Sequence, residues 1–217
     1  MSKKELFKRY VLFIVSLFVS GLGVAFAKHG ELGVTPISSA ANIMSLKFEF
    51  LSIGNWLIIW NCLLIVGQIL ILRKKFQLIQ LLQIPISFLF GWFTDVGVII
   101  VEKIPVESYL MKLAMVIISI IVLGFGISLS VTANVILNSG EAFVKVISDA
   151  SKKDFGNIKI IFDILCVSLA VVLSLIFFNF KMVGTREGTI ISAIFTGIAV
   201  KFFNKLTKKS INNILIN

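Results

Sequence analysis

The chain has 217 residues, 58% of them hydrophobic, and a formal net charge of +10, with a mean hydropathy of +1.01. A soluble domain is about half apolar and its apolar runs are soon interrupted, so the long runs found here exclude that class. Their continuity, in place of strict alternation, excludes a closed β-barrel.

A bilayer core of about 30 Å needs roughly 20 apolar residues as a helix. Six runs meet this: 11–27, 54–72, 77–93, 110–131, 158–178 and 188–204. The first follows Lys3, Lys4, Lys8 and Arg9, as a signal peptide would, but no small-x-small cleavage site and polar mature domain follow it. It reads as a retained helix. After it, Gly30 and Gly33 permit a turn, Thr35 is a fair N-cap, and Pro36 suits a first helical position. Pro36–Ser45 is then a half-helix too short to span. The second long run carries Asn61, with Gln68 seven residues on along the same face. The third is polarised by Gln77, Gln80 and Gln83 and interrupted by Pro85. Residues 96–109 form a linker.

After the fourth run, Ser139 can cap and Glu141 favours a first turn, giving a second half-helix over Gly140–Ser148. The fifth run contains Asp163 with Lys159 four residues before it, an (i, i+4) pair. Ionisable groups inside apolar runs are costly and mark functional sites. The sixth opens on Gly184-Thr185-Arg186-Glu187-Gly188-Thr189, where Arg186 can grip a carboxylate or phosphate with two donors.

Charge sets the orientation. With the N-terminus inside, fifteen of the 21 basic residues fall on the cytoplasmic side and six on the other, so both termini are expected in the cytoplasm. Trp56, Trp60 and Trp92 near helix ends fit an aromatic belt. Cys62 and Cys166 read as packing residues, and His29 as an interfacial residue.

The runs repeat in order. Gly21-Leu22-Gly23-Val24 matches Gly124-Phe125-Gly126-Ile127, Gly54-Asn55 matches Gly156-Asn157, and Ile86-Ser87 matches Ile191-Ser192, at offsets of 103, 102 and 105. The chain is thus expected to be an all-α membrane protein of six transmembrane helices in two repeats, about 9–95 and 112–206. Each has a half-helix between its first and second long helices. Three helices per repeat force the second to enter from the opposite face, the inverted topology of many secondary transporters. The same small residues also serve close helix packing in lipid, and both half-helices would also serve as surface helices.

The half-helix termini at Thr35, Ser38 and Ser39 and at Ser139 and Glu141 are expected to hold an anionic or zwitterionic solute, since helix N-termini attract anions. Arg186, Asn61 and Thr189 add contacts. Asp163 or Glu187 is expected to carry a coupling proton, tuned by Lys159. No phosphate-binding glycine loop is present. One histidine permits no Ser/His/Asp set, and metal-ligand spacing is absent. No enzyme, cofactor, metal or nucleic-acid role is therefore expected. The expected partners are the bilayer and a small solute, with a homodimer left open.

Leu32-Gly33-Val34-Thr35-Pro36, Ser52-Ile53-Gly54-Asn55-Trp56, Phe155-Gly156 with Lys159-Ile160-Ile161-Phe162-Asp163, and Gly184–Thr189 resemble the YczE/YyaS/YitT-type bacterial membrane proteins over nearly the whole chain. The resemblance implies a bacterial plasma-membrane location and this topology, with transport as the suspected activity. It implies no substrate. A solute-binding subunit of a larger transporter and a non-transporting scaffold are the alternatives.

Overall fold

The computed structural model describes residues 2–153 and 155–216. The side chains of Phe155, Lys208 and Lys209, used in the sequence reading, lie outside the described residues. Among the described residues there are eight α-helices and no strand: α1 Lys3–His29, α2 Pro36–Lys47, α3 Ile53–Leu72, α4 Gln83–Val101, α5 Tyr109–Ala133, α6 Ser139–Ser151, α7 Phe155–Phe177 and α8 Glu187–Ile216. Six segments are long and apolar enough to cross a membrane: Lys3–His29, Ile53–Lys75, Leu78–Val101, Tyr109–Ala133, Asn157–Phe177 and Glu187–Thr207. The chain is a multi-pass membrane protein on that ground. Ile164, Leu165, Phe195 and Ile198 are among many large apolar side chains left exposed on α7 and α8, which suits a lipid-facing surface and no aqueous one.

Local chemistry sets the helix ends. Ser2, Ser52 and Ser108 each accept a backbone N–H three residues on, closing the first turns of α1, α3 and α5. Pro85 does not interrupt α4. It is the third residue of that helix, inside the first turn, where the missing N–H has no intrahelical acceptor to lose. The residues just before it, Leu78–Leu82, are 3-10 helix. α4 then continues to Val101, so much of the expected linker is helical and only 102–108 connects. Asp95 does not end α4 because its carboxylate turns to α3, accepting from Ser52 Oγ at 2.5 Å and Gly54 N at 2.9 Å.

α1 and α5 form the centre, and their contacts run in opposite directions. Arg9 reaches Thr132 O and Ala133 O at 3.3 and 3.1 Å. Ser119 Oγ donates to Gly23 O at 2.7 Å, and Gly30 abuts Lys112 O. As the residue number rises on α1 it falls on α5, so the two helices are antiparallel. α4 lies parallel to α1, with Gly21 against Phe93 and Thr94 and Gly97 against Leu22 and Ala25. α8 lies parallel to α5, with Gly124 against Ala199 and Ser128 Oγ donating to Asn204 Oδ1 at 2.9 Å. Small residues allow these backbones to approach closely where no hydrophobic effect drives helix association. The short helices cross over: α2 packs on α7, and α6 packs on α3.

Candidate functional site

The two short helices meet start to start. A Cβ on Gly140, second in α6, would lie 3.0 Å from Ile37 Cδ1, second in α2. Around the first turn of α2, Pro36 takes the first position as expected, but Thr35 makes no side-chain cap. Its Oγ1 lies 2.6 Å from Ser38 Oγ. Ser39 Oγ donates to Pro36 O at 2.6 Å and to Cys166 O of α7 at 3.3 Å. Gly33, at φ 108°, brings the preceding turn against α8, where a Cβ would sit 2.2 Å from Thr189 Oγ1.

The start of α6 is held differently. Asn138, not Ser139, is the cap residue, and its Oδ1 accepts from Ser139 N at 2.9 Å. That frees the Ser139 hydroxyl, which lies 3.1 Å from Ser87 Oγ of α4. Gln68 of α3 and Gln83 of α4 exchange amide hydrogen bonds at 2.9 and 3.1 Å, and Gln68 Nε2 also reaches Ser139 O at 3.4 Å. Ser87, Ser139 and Gln68 have no exposed surface. Buried amides persist only when satisfied in this way.

Beyond this network lies a charged cluster. Lys159 and Asp163 of α7 form the expected ion pair, with side chains 28% and 16% exposed. Both act through space on Glu141 of α6. Its residue is partly exposed, yet one carboxylate oxygen, Oε2, is fully enclosed and has no hydrogen-bond partner among the described residues. The enclosure of that oxygen matters more than the exposure of the stem, because charge resides there. Burial pushes the Glu141 carboxyl above its ordinary value, and Lys159 pulls it back down. Next to the cluster, an apolar cavity of about 440 Å³ opens between Trp60 and Leu64 of α3, Phe143 of α6, and Phe162 and Cys166 of α7.

The expected site residues therefore divide. Thr35, Ser38, Ser39 and Thr189 gather at the start of α2. Ser139, Glu141, Lys159 and Asp163 gather around α6. Asn61 is 2% exposed on α3, with Nδ2 unpartnered among the described residues. Arg186 and Glu187 lie apart, as a pair at 3.4 Å with side chains 47% and 42% exposed.

Of one further feature the sequence reading held only Thr189 as a site residue. Thr185, Thr189, Ser192 and Thr196 recur at helical spacing, and each has an enclosed hydroxyl without a partner among the described residues. Their spacing of four, three and four residues is the signal that could have marked one inward polar face of α8. Among the described residues, no group of three His, Cys, Asp or Glu side chains could hold a metal ion.

A family model described as a family of unknown function (DUF6198) matches residues 7–205. No curated protein and no solved structure matches the chain.

Proposed function

The chain belongs to the DUF6198 family, and from that premise we propose that it is a small proton-coupled secondary transporter of an anionic or zwitterionic solute. One observation carries this: Glu141 holds an enclosed carboxylate oxygen, without a partner among the described residues, beside the Lys159–Asp163 pair. With Glu141 protonated the three groups sum to neutral; with it ionised they carry one negative charge. A proton moving on and off this carboxyl thus changes the charge of a nearly dry cluster, which is what coupling requires.

The two triplets act as inverted repeats. Reciprocal contacts support this. Ser119 donates to Gly23 O, and Gly126 packs against Ser16 O. A shift of 103 residues turns Ser16 into Ser119 and Gly23 into Gly126, so the same two positions meet from either half, although Ser16 donates its hydroxyl to Phe13 O instead. The antiparallel pairing of α1 with α5, and the crossed pairing of α2 with α7 and α6 with α3, support the same relation. Alternating access would rock one triplet against the other. Ser39, Thr189 and Ser192 would offer hydroxyls to the solute as it passes the start of α2. The YczE/YyaS/YitT-type likeness and the charge bias support a bacterial plasma-membrane location with both termini in the cytoplasm.

The test is proton flux in proteoliposomes enclosing a pH-sensitive dye, with a panel of small carboxylates, phosphates and amino acids added outside. At least one solute is expected to drive flux in the wild type and none in Glu141→Gln, with Asp163→Asn reduced. Equal flux in Glu141→Gln would remove the coupling role.

A further inference from the structure

A second cavity, of about 390 Å³, lies at the end of α1 against the loop that enters α8. Its lining includes Lys28, Glu31, Asn42, Gly184 and Arg186, and its size suits a small molecule. Three features give it a chemical preference.

Lys28 is partly buried and forms no ion pair among the described residues. Asp95 and Glu102 act on it only through space, and Asp95 is already committed to Ser52 and Gly54. Arg186 brings a second cation to the same cavity. The lining carboxylate, Glu31, is answered by Lys112. An anion entering here therefore meets Lys28, unpaired among the described residues, and Arg186, whose pairing with Glu187 at 3.4 Å leaves further guanidinium N–H groups to donate, and no unanswered negative group on the lining.

Asn42 supplies the complementary half. It is 4% exposed. Its Nδ2 donates to Gly184 O at 3.2 Å, and since a carbonyl can only accept, this bond fixes which way the amide faces. Oδ1 is left buried without a partner among the described residues. A buried acceptor that lacks a donor costs about 1–3 kcal/mol, which a ligand N–H or O–H would recover. Gly184, at φ 73° and with Asn42 Nδ2 only 2.9 Å from the position of an added Cβ, keeps the wall thin at that point.

We propose that this cavity binds a small anion that carries an adjacent hydrogen-bond donor: a carboxylate or phosphate on Lys28 and Arg186, with a hydroxyl or ammonium donating to Asn42 Oδ1. This deepens the transport reading by naming the chemistry of the solute, and rests on that reading only for the purpose of binding. The same chemistry occurs in a free hydroxy acid or sugar-type phosphate and in the headgroup of phosphatidylglycerol.

Binding is tested by thermal unfolding of the full chain in nanodiscs. In phosphatidylcholine discs, lactate is compared with propionate, and glycerol 3-phosphate with methyl phosphate. The hydroxylated member of at least one pair is expected to raise the midpoint at tenfold or lower concentration than its partner. Asn42→Ala should erase that preference. Lys28→Gln should weaken binding at least about tenfold, the scale of one charge-assisted hydrogen bond, and Lys28→Arg should restore it. If instead phosphatidylglycerol discs raise the midpoint, Lys28→Gln removes the rise and the soluble probes add nothing, the headgroup is the ligand and the site stands. No shift from any probe or lipid, or shifts unchanged in both variants, overturns the site. Lys28-dependent binding in a protein without proton flux would keep the site and remove the transport reading.

Discussion

At the scale of single residues, polar side chains in this molecule divide into those that are answered and those that are not. Arg9 is answered. It is 11% exposed at its side chain, pairs with Glu5 and closes the last carbonyls of α5. Truncating it leaves a carboxylate and two carbonyls without their donor. Arg9→Ala should therefore lower stability by about 2 kcal/mol, read as a lower unfolding midpoint in detergent, with Arg9→Lys intermediate. Glu31 is also answered, chiefly by the hydrogen bond from Lys112, which holds its carboxyl below the ordinary 4.5. A depressed carboxyl contributes stability above its unfolded value and loses it as pH falls through the folded one. The gap in thermal midpoint between wild type and Glu31→Gln should thus be present at pH 7 and close below about pH 4. It should be small, because the carboxylate is 67% exposed. Glu141 Oε2, Asn42 Oδ1 and the hydroxyls of Thr189, Ser192 and Thr196 on α8 are unanswered among the described residues, and both functional proposals rest on atoms of this kind. The sequence marked Asp163 because charge inside apolar segments is rare, and Glu141 because it stands at the start of a half-helix. It did not mark Asn42 or Lys28, whose importance depends on a loop far along the chain, 142 residues from Asn42 at Gly184. It set Arg186 and Glu187 beside the other site residues, and could not show that they pair with each other at a partly exposed position, since adjacent charges between glycines read alike at a surface and in a cavity.

At the scale of elements, the six spans and both short helices were legible from apolar length, Pro36 and the glycines, because these depend on nearest neighbours in sequence. Helix ends that depend on tertiary contacts were not. The third run reads as ending at 93 with a linker from 96, yet α4 continues to Val101 while Asp95 turns to Ser52 and Gly54, and Pro85 reads as an interruption until α4 is seen to begin at Gln83. The close approach of α1 and α5 was partly legible in the paired glycines, though the same residues suit any close packing in lipid. Its energetic weight is testable. A Cβ at Gly126 would lie 2.8 Å from Ser20 N and 3.1 Å from Ser16 O, both backbone atoms that cannot swing aside, whereas Gly197 has nothing within 4 Å. Gly126→Ala should destabilise by about 2 kcal/mol through overpacking. Gly197→Ala on exposed α8 should be neutral or up to about 1 kcal/mol stabilising, through helix propensity. Denaturation of the two variants side by side in the same detergent checks both signs.

At the scale of the whole molecule, each triplet begins with a long helix, continues with a short one, and returns through two more long helices. The directions of α1, α4, α5 and α8 follow from which residues touch: α4 runs with α1, α8 runs with α5, and the two pairs run opposite ways, as the proposed inverted repeat requires. Offsets near 103 suggest a repeat in the sequence, but helix directions are not legible there, because they are defined only between elements that have packed. If the triplets thread the bilayer from opposite faces, the connections at 74 and 153 lie in the cytoplasm and those at 105 and 181 lie outside. Single cysteines at these four positions, with Cys62 and Cys166 replaced by Ala, can be labelled in intact cells with a membrane-impermeant maleimide. Labelling at 105 and 181, with 74 and 153 reactive only after lysis, is the expected result. Labelling of 153 from outside, or protection of 181, would contradict the inverted arrangement from which the transport proposal proceeds.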